Sequence, residues 1–339
     1  MTILNKISLK PFNSFRVDAK ADYFVSIHNI DDIFQLIETE VFKNNKYFIL
    51  GSGSNVLFAE DFKGVVINVE IKGMSIIKST DDYLILEVGA GEDWNNFVRT
   101  CINSNYYGIE NLALIPGKVG AAPVQNIGAY EAEQKNCFVA LKGVNLQTKE
   151  LIEMNFADCK FGYRSSIFKE ELKDKFLITS VQYKLSRQKK FNFSYKELEI
   201  EVNKFPVKEI DLLYVYDTIC RLRTSKLPDM NIIGSAGSFF KNPIVDTEVF
   251  ERIKNDYLTI NGYPSGDGKL KLSAGWLIEQ CGWKGKRIGD AGIYDKHALV
   301  LVNYGKATGK EILSLSNQIK ESVLNKFGVE LEEEVLILQ

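Results

Sequence analysis

Histidine is almost missing from this chain. His28 and His297 are the only two among 339 residues. The side chain that most often moves protons near neutral pH is therefore scarce, and proton transfer would fall to Ser, Glu, Lys, Arg or Tyr. Charge of one sign is missing too. The net charge is −2, which leaves no basic footprint for nucleic acid. No apolar run reaches the roughly 18 residues of a membrane span, and Met1-Thr-Ile-Leu-Asn-Lys6 lacks the layout of a signal peptide. The five cysteines (101, 137, 159, 220, 281) are scattered with no CxxC pair. That spacing argues against a disulfide framework or a metal site and for a reducing compartment. Repeats, low-complexity segments and sustained heptads are absent, so a monomer is expected. With 45% hydrophobic and 25% charged residues, the chain reads as a soluble, cytoplasmic protein of two or three domains of ~100–200 residues each.

What is present alternates irregularly between helix and strand patterns. Tyr47-Phe-Ile-Leu50 reads as a short apolar strand ending at Gly51, with further strands at 65–69 and 83–88. Ile33, Leu36, Ile37 and Val41 share one face of a helix predicted over 31–42. A second helix is predicted over 92–103, carrying Trp94, Phe97, Val98 and Cys101. Residues 177–185 and 298–303 read as strands, and 210–223 and 272–281 as helices. Lys226-Leu-Pro-Asp229 punctuates the chain as a domain boundary. Thr308-Gly-Lys-Glu311 is a capping box opening a helix to Phe327, which Gly328 stops. There is no regular βαβ alternation, so α+β domains are favoured over a doubly wound sheet.

Three Gly-rich stretches carry the chemistry. Gly234-Ser-Ala-Gly-Ser-Phe-Phe-Lys-Asn-Pro243 puts the Ser238 hydroxyl on a flexible turn, with a Phe pair to anchor it and Lys241 and Asn242 beside it. Gly51-Ser-Gly-Ser-Asn55 follows a strand. It lacks the third glycine and the following helix of a dinucleotide fingerprint, and reads as a β-loop-β turn. Either its N–H groups and hydroxyls cradle phosphates as a nest, or it is a plain hairpin. In residues 115–130, Gly117, Gly120 and Gly128 flank Gln125 and Asn126. Amide side chains suit the uracil-like edge of a flavin, and Ala121, Ala122 and Ala129 would let a flat ring lie against backbone. Each stretch taken alone also fits a structural turn or a packed core loop.

Taken in order, Leu50-Gly-Ser-Gly-Ser-Asn-Val-Leu57, Ile115-Pro-Gly-Lys-Val-Gly-Ala-Ala-Pro-Val-Gln-Asn-Ile-Gly-Ala-Tyr130, Tyr163-Arg-Ser-Ser-Ile-Phe-Lys169, 234–243 and Lys271-Leu-Ser-Ala-Gly-Trp-Leu-Ile278 resemble the UDP-N-acetylenolpyruvoylglucosamine reductase family. The resemblance runs from about Asn13 to Val335. It implies an α+β fold with an FAD-binding part of the vanillyl-alcohol-oxidase type, built of two subdomains, and a further substrate-binding domain. The implied limits are 1–71 with 335–339 returning to it, 72–225, and 226–334. It also implies non-covalent FAD, NADPH as hydride donor, a UDP-sugar enolpyruvyl ether as substrate, and a place in peptidoglycan synthesis, hence in cell shape and division. Phe193-Ser-Tyr-Lys-Glu-Leu198 resembles the Tyr-bearing loop of one branch of the family, so Tyr195 would close over the substrate.

Residue roles follow from the same resemblance. Hydride passes from NADPH through the flavin to the terminal carbon of the enolpyruvyl double bond, and negative charge spreads from the adjacent carbon into the carboxylate. Ser238 would protonate that carbon. Arg164 and Glu334 would stabilise the enolate, with Arg164 forking the carboxylate. The family pattern has proline where this chain has Glu333, and Glu334 is assigned because it directly precedes Val335. Gly51, Ser52, Gly53, Ser54, Asn55, Pro116, Gly117, Gly120, Gln125, Asn126, Gly128, Ala129, Tyr130 and Arg223 would bind the cofactor. Tyr163, Tyr195, Lys226, Lys241 and Asn242 would bind the substrate, Lys226 at the UDP phosphate. His297 reads as either a diphosphate contact or a satisfied structural histidine. Two rivals stand beside this: another oxidase or dehydrogenase of the wider flavin superfamily, and a UDP-sugar-binding protein without catalysis. Neither histidine lies in a Gly-rich loop, which weakens the first. The full set Arg164, Ser238 and Glu334 weakens the second.

Overall fold

A computed structural model describes residues 1–204 and 210–339. It divides into two compact units, one of Met1–Ile7, Ala21–Ser52 and Lys63–Ser225, the other of Ser8–Lys20, Gly53–Phe62 and Lys226–Gln339. Helices and mostly antiparallel sheets are interspersed, which makes the fold α+β.

Two sheets organise the first unit. The smaller runs in the order Ile3–Ser8, Lys20–Ile27, Phe62–Val69, Tyr47–Leu50, with its last two strands parallel. The larger has five strands, Leu151–Asn155, Phe138–Asn145, Phe176–Ser186, Tyr83–Gly89 and Met74–Ser79, every neighbour antiparallel. The helix Trp94–Asn103 is capped by Asp93, whose carboxylate accepts from Asn96 N–H, and buries Trp94, Phe97, Val98, Cys101 and Ile102. Trp94 meets Tyr183 of the larger sheet edge to face at 5.8 Å, a favourable aromatic geometry. The helix predicted over 31–42 is two helices, Ile30–Glu38 and Glu40–Lys43. Thr39 divides them. Its hydroxyl donates to Leu36 O at 2.7 Å and accepts from Phe42 N at 3.1 Å, on an extended backbone. A threonine that caps both neighbours offers the chain an alternative to continuous helix.

In the second unit an antiparallel sheet runs Gly234–Ser238, Val300–Asn303, Ala291–Ile293, Arg287–Ile288. The helix Gly309–Phe327 carries the expected capping box from Thr308 and ends at left-handed Gly328. The helix predicted over 272–281 is shorter, Ala274–Gln280: Leu272 ends the strand Lys269–Leu272, and Ser273 caps the helix. The loop at 51–55 is not a hairpin. Tyr47–Leu50 pairs with Phe62–Val69, while Val56–Phe58 pairs in parallel with Leu336–Leu338. Among the described residues no helix is long and apolar enough to cross a membrane.

Candidate active site

In the first unit the Gly-rich stretch after Ile115 is seated on backbone. Gly120 N–H donates to Ala90 O at 2.8 Å, and a Cβ on Gly120 would stand 2.5 Å from the Ala90 Cβ. Only glycine allows that approach. Gly51 packs beside the same stretch, where an added Cβ would lie 3.4 Å from Ala121 Cβ; Ser52 is exposed. Lys118, inside the stretch, extends its amine to Asn68 Oδ1 at 3.0 Å, Val69 O at 2.7 Å and Glu70 Oε1 at 2.5 Å. This anchor was missed in the sequence, because nothing local marks a lysine whose partners lie about fifty residues upstream.

Pro123 starts the short helix Ala122–Gln125, and Asn126 ends it with φ 45°. Asn126 is fully buried. Its amide nitrogen donates to Gly162 O at 3.0 Å, and its oxygen accepts from Gln134 and from Lys135 N–H. That side chain therefore holds the loop; half-buried Gln125 is the amide left nearer the surface. Gly128–Ala129 turns back on Ala132–Glu133 through Tyr130 and Glu131, both at positive φ.

Arginines gather at this turn. Arg164 has φ 52°, rare for a long side chain, and its guanidinium donates to Gly128 O at 2.8 Å. A Cβ on Gly128 would come within 3.0 Å of that guanidinium. Tyr163, exposed, lies beneath the Arg164 guanidinium at 5.5 Å. Strained backbone held by its surroundings is a common mark of functional positions. Arg223 projects from the helix Leu212–Lys226 with a buried Nε that has no hydrogen-bond partner among the described residues. Burial holds Arg223 below the ordinary guanidinium range, Tyr130 and Cys220 oppose this, and Arg164 adds to it; the group remains a cation. Burial also pushes the Tyr130 hydroxyl up to about 12, with Arg223 opposing. Tyr195 sets its ring edge-on to Tyr130 at 5.1 Å.

In the second unit Gly53 has φ 64°, and a Cβ there would meet Phe12 O at 2.1 Å. Its carbonyl accepts from Ser14 N at 3.1 Å. Asn55 donates from Nδ2 to Glu334 O at 2.9 Å, and Leu336 N–H returns a bond to Asn55 O. Ser54 is half-buried.

The strand Gly234–Ser238 breaks register between Ser235 and Ser238. Gly237, at φ 72°, lets the chain turn there, and its N–H is accepted by the buried Ser235 hydroxyl at 3.1 Å. The two hydroxyls of the motif are thereby separated. Ser235 is spent on the turn, and Ser238 is half-buried with no side-chain hydrogen bond among the described residues. Phe239 and Phe240 anchor the turn in the core.

The C-terminal acidic run lies alongside. Phe240 bridges Glu333 in antiparallel fashion, Lys241 N–H donates to Glu332 O at 2.9 Å, and Glu334 N–H to Phe239 O at 2.8 Å. Lys241 Nζ pairs with Glu332, and Lys320 Nζ with Glu333 at 2.9 Å. Asn242 Oδ1 accepts from Ala274 N at 3.0 Å, which caps the following helix. Lys226 is half-buried. His297 Nδ1 accepts from Leu299 N at 3.3 Å, which puts its proton on Nε2. Burial first, then Lys226 and Lys284, lower its pKa, so it is neutral at pH 7.

In the first unit the orphaned Arg223 Nε fits an FAD: it is a buried cationic donor suited to an anionic or carbonyl group. Comparison with known proteins agrees. Residues 21–153 match a family described as FAD binding domain, and residues 228–338 match one described as UDP-N-acetylenolpyruvoylglucosamine reductase, C-terminal domain. The chain is 45% identical to the UDP-N-acetylenolpyruvoylglucosamine reductase of Flavobacterium johnsoniae over 100% of both chains. It is 42% identical to that of Pseudomonas savastanoi pv. phaseolicola over 98% of both. A crystal structure of the reductase from Thermus caldophilus shares the fold at TM-score 0.69 with 23% identity, covering 100% of both chains. Identity of this extent along the whole length, with an FAD-binding domain in place, means that the chain belongs to the UDP-N-acetylenolpyruvoylglucosamine reductase family of FAD-dependent oxidoreductases.

Proposed function

We propose that the chain reduces UDP-N-acetylglucosamine enolpyruvate to UDP-N-acetylmuramate, with NADPH as reductant, in peptidoglycan precursor synthesis. Both reactants are water-soluble, and we place the enzyme in the cytoplasm as a monomer. We assign the cofactor to residues 1–225 together with 335–339, and the substrate domain to 226–334. The bound FAD would supply hydride transfer from NADPH to the terminal carbon of the enolpyruvyl group. The residues do the rest.

Ser238 would donate its Oγ proton to the adjacent carbon, and solvent would then restore the hydroxyl. Serine is a weak acid, so this demands a strongly basic enolate and a hydroxyl not already committed elsewhere. The observation that carries the assignment is the division of labour in the Gly-rich turn. Ser235 is consumed by Gly237 N–H, whereas Ser238, beyond the register break, is half-buried and makes no side-chain hydrogen bond among the described residues. Glu334 is assigned because it directly precedes Val335, as in the family pattern, and because its N–H is bonded to the carbonyl of the residue after Ser238. Arg164, oriented by Gly128 O, would fork the substrate carboxylate and stabilise the enolate. Tyr163, Tyr195, Lys226, Lys241 and Asn242 would bind the UDP-sugar, Lys226 at phosphate.

An anaerobic spectrum of the purified protein tests this reading. NADPH should bleach the flavin band, and the UDP-sugar enolpyruvyl ether should return it. Bleaching without return would remove the substrate assignment. No flavin band after FAD is added back would overturn the catalytic reading altogether.

A further inference from the structure

Leu331-Glu-Glu-Glu-Val335 sets three carboxylates in a row, and the backbone sorts them. Phe240 and Glu333 face each other across the antiparallel bridge, with the flanking bonds made by Lys241 N–H and Glu334 N–H. In such a pair the N–H of the central residue points out of the ladder, and Glu333 N–H makes no bond among the described residues. Leu331 and Val335 are buried at 4% and 3% exposure, and Glu333 lies halfway between them in sequence.

A carboxylate between two core aliphatics is costly unless it is paired. The helix Gly309–Phe327 supplies the partner. Lys320 Nζ meets Glu333 Oε1 at 2.9 Å, and the carboxylate is the more buried side chain, 19% exposed against 36%. A one-residue slip would put Glu332 or Glu334 opposite Phe240 in place of Glu333. With glutamate at all three positions, the lysine decides which one stands there.

We propose that the Lys320–Glu333 ion pair fixes the register of this strip and so holds Glu334 beside the Ser238 turn. Lys320 and Glu333 are then positioning residues of the reductase. This rests on the role given to Glu334 above. A rigid residue that needs no N–H bond should replace the pair. Proline at 333 meets both conditions, since its ring locks φ and the missing N–H is one the ladder does not use.

The test measures both flavin half-reactions in the holoenzyme for Lys320→Met, Lys320→Met/Glu333→Pro and Glu334→Gln, with melting curves for each. Lys320→Met should slow reoxidation of the flavin by the enolpyruvyl ether about tenfold, in line with a small displacement of a reacting group. Bleaching by NADPH should keep the parent rate, because it precedes any need for Glu334. The double variant should return reoxidation to within about twofold of the parent. Parent-like reoxidation in Lys320→Met beside a slow Glu334→Gln overturns the positioning role and leaves Glu334 standing. A slow double variant with parent-like melting overturns it as well. Parent-like reoxidation in Glu334→Gln overturns the role of Glu334 and the inference with it.

Discussion

Replacing Gly53 by alanine should destabilise the second unit by about 2–4 kcal/mol. Two costs add. The left-handed backbone at φ 64° costs an L-residue about 1–2 kcal/mol. The new Cβ would also stand 2.1 Å from Phe12 O and 2.8 Å from Asn13 Cα, so the 12–13 backbone must retreat. That backbone is not free to move. Asn13 donates from Nδ2 to Leu9 O at 2.7 Å and Val17 O at 3.0 Å, and accepts from Val17 N at 3.0 Å. Losing one or two such bonds costs about 1 kcal/mol each. Gly237→Ala is the matched control. It lies in the same unit at φ 72°, with nothing within 4 Å of its Cβ, and should cost only the backbone strain of about 1–2 kcal/mol. Urea unfolding of the two variants measures the difference, expected at about 1–2 kcal/mol as a shift in midpoint at constant slope. An equal or smaller loss for Gly53→Ala would refute the close approach to Phe12.

Lys118→Met removes three bonds that tie the Gly-rich stretch after Ile115 to residues 68–70. It should weaken FAD retention about tenfold, equivalent to about 1.4 kcal/mol; full flavin stoichiometry after gel filtration would contradict this. Glu110 is buried and caps Gly108 N–H at 2.7 Å, and burial raises its pKa, with the backbone bonds opposing. The unfolded chain releases this proton at lower pH than the folded one, so stability falls as pH rises from the ordinary carboxylate range through the raised value. Glu110→Gln keeps the acceptor and cannot ionise. It should melt higher than the parent at about pH 8 and alike at about pH 4, and a constant difference across that range would refute the reasoning.

Much of the fold was legible because its signals are local. The Thr308–Glu311 box, Gly328, and the apolar face carrying Ile312, Leu315, Ile319 and Val323 describe one helix completely. Boundaries failed where a side chain competed with the backbone, as at Thr39, or where a strand ran straight into a cap, as at Leu272 and Ser273. The loop at 51–55 could not be told from a hairpin, because its flanking strands take other partners, one at 62–69 and one far away at 336–338. The Gly-rich motifs were visible, but their division of labour was not. Asn126 turns its amide inward and Ser235 is spent on Gly237, and neither follows from residue type. Lys118 and Lys320 escaped notice because an ion pair between distant segments leaves no local pattern.

Ser238→Ala, read in two anaerobic half-reactions, probes whether one hydroxyl completes the proposed flavin-mediated reduction. The variant should bind FAD, be bleached by NADPH at the parent rate, and regain almost no flavin absorbance when the UDP-sugar enolpyruvyl ether is added. Reoxidation at close to the parent rate would move the proton to another group and remove the role proposed for Ser238.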